Sequence, residues 1–229
     1  MTAFVGVSMR VVSSEFYTEI RDAISHDWLQ IFAKYGISPI LIPNTPNSIV
    51  NILNKSQVSC ILLTGGNNIG LVNVEDDDVE ISDVSSARDV TEFALVEFAA
   101  NKGIPVFGVC RGMQILNIYF GGSIIRNLQN ISGSEDSHVG VRHMIDIVDE
   151  KYREKFGVDI AKTNSYHRHA VTESELSESL HAFAMSRDGV VEGLYHPKLP
   201  VVGVQWHPER DGSAVDLDRI LINDWLNNT

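Results

Sequence analysis

The sequence predicts an α/β protein with a mainly parallel central sheet and a smaller antiparallel part, on three observations. Apolar runs of strand length alternate with stretches of helical period through the first half of the chain. Two of those runs end in glycine-bearing turns, Thr64-Gly-Gly-Asn-Asn68 and Gly108-Val-Cys-Arg-Gly112, which is where open α/β sheets place their ligands. Beyond Gly121-Gly122 the pattern moves toward period 2, with Asp188-Gly189 as a hairpin turn.

In order, Phe4-Val-Gly-Val7 reads as a buried strand, and Ile20, Ile24, Trp28, Ile31, Phe32 and Tyr35 fall on one helical face. Ile37 to Pro43 is the next strand. Thr45-Pro46 then supplies an N-cap and a first-turn proline for a helix carrying Ile49, Val50 and Leu53. Val58 to Leu63 is a third strand, and Arg88-Asp-Val-Thr-Glu92 leads a helix with Ala94, Leu95, Phe98 and Ala99. Ile104 to Val109 is a fourth strand, followed by a helix from Met113 to Phe120. In the second half, Val141 to Val148, Leu180 to Met185 and Val190 to Leu194 read as strands. Val201 to Trp206 is a buried strand ending on His207-Pro-Glu209, and Val215 to Leu226 closes as a helix with Leu217, Ile220 and Leu221 inward.

At 229 residues, 44% hydrophobic and 21% charged, the expectation is one soluble globular domain over residues 1–229. No apolar run approaches the roughly 20 residues of a membrane span, and the first residues lack the basic start of a signal peptide, so a cytoplasmic location with no membrane partner is expected. Two cysteines make no disulfide framework. A net charge of −12 argues against unspecific nucleic-acid binding. The acidic stretch Glu75 to Glu80 reads as a solvated loop without the spacing of a calcium site.

Cys110 stands where a nucleophile elbow places its reactive residue, between two glycines on a sharp strand-to-helix turn. The start of the following helix favours a thiolate there. Cys60, inside an apolar run, fits a buried structural thiol instead. A cysteine nucleophile needs a base and a group to hold that base. His207 and Glu209, two apart on an extended segment, point to one side and supply both. Backbone N–H groups of Arg111 and of Gly66, beside Gly65, are the natural oxyanion donors. Asn164-Ser165-Tyr166-His167-Arg168-His169 forms a polar cluster suited to a charged substrate group, or else a surface loop. His167-x-His169 has no cysteine or carboxylate beside it at metal-ligand spacing, so no metal is expected.

At these residues the sequence closely resembles the class I glutamine amidotransferase family, through Gly108-Val-Cys110-Arg-Gly112-Met-Gln114 and Gln205-Trp-His207-Pro-Glu209. Within it the chain looks most like the γ-glutamyl hydrolase branch, of peptidase C26 type. That likeness is carried by Leu63-Thr-Gly65-Gly66, Arg88-Asp-x-x-Glu92, Asn164-Ser-x-His167 and Ser186-Arg-Asp188-Gly-x-x-Glu192. The resemblance implies a flavodoxin-like three-layer α/β/α sandwich, a Cys110–His207–Glu209 triad and a γ-glutamyl thioester on Cys110. It also implies that Gln114 helps bind the γ-glutamyl group, that Ser165 and Tyr166 lie near its α-amino and α-carboxyl ends, and that no cofactor is needed. The branch often reads Pro-Gly-Gly-Gly-Asp where this chain has Thr64 to Asn68.

Gly6-Val-Ser-Met-Arg10, with Arg21-Asp22 and Trp28, further resembles the capsule-pathway members that hydrolyse γ-glutamyl-CDP-amidate, and Arg10, Arg21 or Arg168 would then meet a diphosphate. Other readings stay open: a γ-glutamyl-γ-aminobutyrate hydrolase, a glutaminase subunit delivering ammonia to a synthetase, and a catalytically dead scaffold. On the preferred one the partner is a small γ-glutamyl substrate, no synthetase is required, and a homodimer is left open.

Overall fold

The computed structural model describes residues 3–14, 16–70, 83–128 and 138–228. The acidic stretch Glu75 to Glu80 lies outside the described residues. The chain opens with β1 (Phe4–Ser8), a hairpin of β2 (Arg10–Ser13) and β3 (Ile20–Ala23), then α1 (His26–Tyr35), β4 (Ser38–Ile42), α2 (Ile49–Lys55) and β5 (Cys60–Leu63). It continues through α3 (Ser86–Lys102), β6 (Val106–Val109) and α4 (Arg111–Tyr119), and then β7 (Val139–Ile147), α5 (Glu150–Phe156) and β8 (Ile160–Tyr166). The last elements are β9 (His181–Ser186), β10 (Val191–Tyr195), β11 (Val201–Val204) and α6 (Val215–Asn227).

Nine strands form one sheet in the order β4-β1-β5-β6-β11-β10-β9-β7-β8. The pairings from β4 through β11 are parallel. Those from β11 through β8 are antiparallel. The alternation of side chains along each parallel strand sorts them between two cores. Val5, Val7, Cys60, Leu62, Phe107 and Val109 pack with Trp28 and Phe32 of α1 and Leu221 and Trp225 of α6 on one face. Ile61, Leu63 and Val106 pack with Leu53 of α2, Leu95 and Ala99 of α3, and Met113 and Leu116 of α4 on the other. The result is the expected three-layer α/β/α sandwich with an antiparallel extension.

The structure corrects two helix starts. Ile20 is not on α1 but in the outer hairpin, 74% exposed, because residues 10–13 and 20–23 pair in register and the helix begins only after Ser25, whose hydroxyl caps the Asp27 N–H. Thr45 is not the cap of α2 either. Its carbonyl accepts from the Ser48 N–H in a turn, the helix starts at Ile49, and Val50 points outward at 52% exposure. Besides the β2–β3 hairpin, two elements were not read from the sequence. They are α5, capped by Asp149 at the Tyr152 N–H, and β8, which takes Asn164 to Tyr166 into the sheet rather than into a loop. No helix among the described residues is long and apolar enough to cross a membrane.

Phe107 is fully buried on the strand that delivers Cys110, its ring 5.6 Å from that of Trp225. Phe107→Ala is expected to lower stability by about 3–5 kcal/mol in urea unfolding, the range for truncating a buried aromatic.

Candidate active site

β6 ends at Val109 and α4 begins at Arg111, so Cys110 makes the whole turn alone. It does so at φ 52°, ψ −105°, with its N–H donating to the Val204 carbonyl at 2.8 Å. A non-glycine residue holds such a backbone only where its surroundings fix it. Here the fit is tight. A Cβ on Gly112 would stand 2.3 Å from the Leu63 carbonyl oxygen, and one on Gly108 would stand 2.7 Å from the Gly112 carbonyl. The two glycines of the elbow are therefore required by close approach of strand to helix. Gln205 Nε2 donates toward the Cys110 sulfur at 3.5 Å.

His207 follows the end of β11 and is 2% exposed. Its Nδ1 faces Glu209 Oε1 at 2.7 Å, and because a carboxylate only accepts, Nδ1 carries the proton. The imidazole also lies within electrostatic reach of the Cys110 sulfur. Burial pushes the imidazole down, but the Cys110 sulfur and then Glu209 outweigh it and raise it to about 9. His207 is thus an imidazolium at neutral pH. Cys60 differs in every respect: it sits inside β5, fully buried, and burial pushes its thiol up to about 11.

The glycine turn closes the site from the third side. A Cβ on Gly65 would lie 2.7 Å from His207 Cε1 and 3.6 Å from Cys110 Cβ, so the backbone there lies directly against the reacting pair. Its orientation is set by Arg88. That guanidinium, fully buried, donates to the carbonyls of Thr64 at 2.7 Å, Gly65 at 3.1 Å and Gly66 at 2.7 Å, and to Glu92 Oε1 at 2.9 Å. In a trans peptide the N–H opposes the C=O, so these bonds turn the Gly66 N–H away from Arg88. Burial lowers Arg88 to about 9, which leaves it charged at neutral pH. Arg111 is paired in turn with Asp89 and Glu92. Its side chain is therefore enclosed, and what it can offer the site is the backbone N–H in the first turn of α4.

Of the other expected residues, Gln114 is buried and donates to the His169 carbonyl and Gln205 Oε1, both at 3.2 Å. The Asn164 carboxamide holds the backbone of the His207 segment: Oδ1 accepts from the His207 N–H and Nδ2 donates to the His207 carbonyl, both at 2.9 Å. It positions the base. The Ser165 hydroxyl donates to the His138 carbonyl at 2.7 Å. Tyr166 is half-exposed, its ring edge-on to His207 at 5.7 Å, with the Arg210 guanidinium 4.6 Å over its face. His167 turns away from Cys110 toward His138 and Glu192. Arg21 is bound to Glu19 and Tyr17 on the outer hairpin, and Arg168 is exposed. Arg10 lies against the glycine turn, its Nε 3.2 Å from where a Gly66 Cβ would be. Asn67, which replaces the usual glycine, holds β2 in place through the Val11 N–H and C=O, both at 2.8 Å. Arg210 was not singled out from the sequence, and Gln205 was read only as the first residue of the Gln205-Trp-His207-Pro-Glu209 motif, with no part beside the Cys110 sulfur.

Three outcomes are expected of this geometry. Asn164→Ala should lower kcat roughly 10-fold or more with little change in KM, since the side chain acts on the His207 backbone; steady-state kinetics separates the two. Arg88→Met should cost about 3–5 kcal/mol in urea unfolding, because it leaves Glu92 and three carbonyls unpaired in the interior. The raised His207 contributes stability that is full below its ordinary 6.5 and lost as pH rises through about 9. Between pH values of about 7 and 10, Tm should fall in the wild type and fall less steeply in His207→Gln.

The peptidase C26 family profile matches residues 3–209. The chain is 24% identical over 223 residues to the γ-glutamyl-CDP-amidate hydrolase of Campylobacter jejuni, covering 97% of each chain. It is 28% identical over 221 residues to the γ-glutamyl-γ-aminobutyrate hydrolase PuuD of Escherichia coli, covering 89% of this chain and 85% of that one. A crystal structure of a glutamine amidotransferase from Thermotoga maritima superposes with a TM-score of 0.59 at 19% identity, covering 91% of this chain and 77% of that one, which shows the shared fold. With a profile match running from the first strand to Glu209, the chain belongs to the peptidase C26 family.

Proposed function

We propose that the chain is a stand-alone cysteine hydrolase of γ-glutamyl amides whose substrate carries an anionic leaving group, with γ-glutamyl-CDP-amidate, a source of phosphoramidate for surface polysaccharide, as the specific substrate. The observation that carries the anionic group is the pairing of Arg10 and Arg210 at the mouth. Each lies within electrostatic reach of the other and of Glu209, and Arg210 covers the exposed ring of Tyr166 beside His207. Two guanidinium groups and an aromatic face suit a nucleoside diphosphate. Coverage of 97% of both chains by the Campylobacter relative supports the same reading.

In this mechanism the Cys110 sulfur attacks the γ-carbonyl carbon. The oxygen takes the negative charge and is met by the N–H groups of Arg111 and Gly66, donors of a kind whose loss typically costs about 10²-fold in rate. His207, already protonated, gives its proton to the departing nitrogen as the C–N bond breaks, leaving a γ-glutamyl thioester. Water then gives a proton to His207 and attacks the thioester, and the C–S bond breaks to release glutamate and restore the ion pair. Glu209 keeps the imidazole in one tautomer throughout. Gln114, Ser165 and Tyr166 belong to the wall that receives the glutamyl group. The enzyme works in the cytoplasm without a synthetase partner.

A second reading, hydrolysis of γ-glutamyl-γ-aminobutyrate, is favoured by the higher identity to the Escherichia coli relative. Glutamate release by the purified chain from glutamine, γ-glutamyl-γ-aminobutyrate and γ-glutamyl-CDP-amidate separates the two. The nucleotide amidate is expected to turn over fastest, and Cys110→Ala to abolish release. Arg10→Ala should raise KM for the nucleotide amidate by roughly 10- to 100-fold, the size of a lost charged hydrogen bond, and leave glutamine unchanged. Faster turnover of the aliphatic conjugate, indifferent to Arg10, moves the assignment to the second reading.

A further inference from the structure

A second group of chemically active side chains lies outside the triad. His138 before β7, His167 after β8 and Glu192 on β10 bring their ligand atoms within 4.8 Å of one another, and His143 on β7 stands beside them, its Nε2 3.4 Å from Glu192 Oε1. His138, His167 and Glu192 are buried. The backbone is irregular at two of these places. The β9–β10 register shifts between Val191 and Gly193, at Glu192, and the β7–β8 register shifts between Val139 and Val141. Such bulges re-aim side chains.

The tautomers follow from the partners. His138 Nε2 stands 2.9 Å from Asp188 Oδ2, and a carboxylate only accepts, so Nε2 carries the proton. His167 Nδ1 stands 2.9 Å from the His169 carbonyl oxygen, so Nδ1 carries the proton there. The two remaining ring nitrogens, His138 Nδ1 and His167 Nε2, then present lone pairs to each other at 3.2 Å. Glu192 Oε1 lies 3.8 Å from the first and 3.6 Å from the second, and 3.4 Å from His143 Nε2. Neither oxygen of Glu192, nor His143 Nε2, meets a hydrogen-bond partner among the described residues. Acceptors that converge on a buried carboxylate repel one another unless a proton or a metal cation lies between them, and the ring nitrogens here are placed to take either.

We propose that His138 Nδ1, His167 Nε2, Glu192 Oε1 and His143 Nε2 form a structural zinc site. The spacing of His138, His167 and Glu192 fits, since ligand atoms at the usual 2.0–2.1 Å from a tetrahedral zinc stand about 3.3 Å apart, and His143 adjoins the group through Glu192. Three imidazoles with one carboxylate are a donor set for zinc rather than for a hard cation. The outer contacts fit as well. Metal-bound histidines donate their second N–H to a carboxylate or a carbonyl, as His138 does to Asp188 and His167 does to His169. With four protein ligands the site is closed, and its role is to hold structure. What it holds is the wall of the active site: the Glu192 carbonyl accepts from the Gln205 N–H at 2.8 Å, and the His138 carbonyl accepts from Ser165 Oγ at 2.7 Å.

The test uses the full chain without a histidine tag. Metal analysis after purification should find a single zinc per chain, chelation should lower Tm, and added zinc should restore it. The chelated chain titrated with Co(II) should develop the visible absorption of a tetrahedral site, saturating at one equivalent. Cys110→Ala should bind zinc as the wild type does, and Asp188→Asn should bind it roughly 10- to 100-fold more weakly, the cost of losing an outer partner. The cobalt spectrum of the wild type decides the matter even where a variant fails to fold. A folded wild type that carries no zinc and gives no cobalt band overturns the site, as does loss of the metal in Cys110→Ala.

Discussion

The buried guanidinium of Arg88 is the contact on which the active site depends. It joins three things that the chain makes separately: the carbonyls of the glycine turn after β5, the carboxylate of Glu92 one helical turn further along α3, and through Glu92 the side chain of Arg111 at the start of α4. Removing a charge from water costs several kcal/mol, and each charge-assisted hydrogen bond returns about 1.5–3. The two sides nearly cancel, so the network adds little stability over an apolar core of the same volume. Its yield is geometric. With the three carbonyls held toward Arg88, the opposite edge of the turn is fixed toward Cys110 and His207, and Arg111 ties the elbow to the same frame.

The remaining side of the site comes from the change of strand direction. β11 is the last parallel strand, and it delivers His207 beside the end of β6, where Cys110 turns. The antiparallel strands that follow across the sheet bring β8 close enough for Asn164 to grip the segment from His207 to Asp211, accepting from the His207 N–H and donating to the carbonyls of His207, Arg210 and Asp211. The extension beyond the parallel sheet is thus what fixes the His207 backbone. His207 and Glu209 are only two residues apart, but their orientation toward Cys110 is decided by a residue more than forty positions upstream.

The parallel half of the fold was legible because each strand reports itself by a short apolar run and each helix by its period. Where two signals overlapped, the wrong one won: Ile20 shares a helical phase with Trp28, yet backbone pairing between residues 10–13 and 20–23 takes it into the hairpin. Cys110, His207 and Glu209 were readable from spacing, because the elbow and the extended His-x-Glu segment are local geometries. Asn164 and Arg88 were visible as motif residues, but their work was not, since both act on backbone atoms of distant segments. The cluster around Glu192 was hidden for the same reason. His138 and His167 are 29 residues apart in the chain and 3.2 Å apart in the fold, and no spacing rule connects them to Glu192.

A division follows between what is enclosed and what is open. Cys110, His207, Glu209, Gly65, Arg88 and Asn164 hold each other by contacts that tolerate almost no added atom, as the position of a Gly65 Cβ against His207 shows. A site so constrained suits the proposed reaction, which needs a nucleophile and its base at fixed distance from a pair of N–H donors. Arg10, Tyr166 and Arg210 instead lie at the rim, partly in solvent, and touch one another through charge and ring faces rather than through backbone bonds. Their side chains can change without disturbing the triad. On the proposed function, the chemistry would therefore belong to the fold's interior, and the choice of leaving group to three rim side chains held in place by Asn67 on one side and the His207 segment on the other.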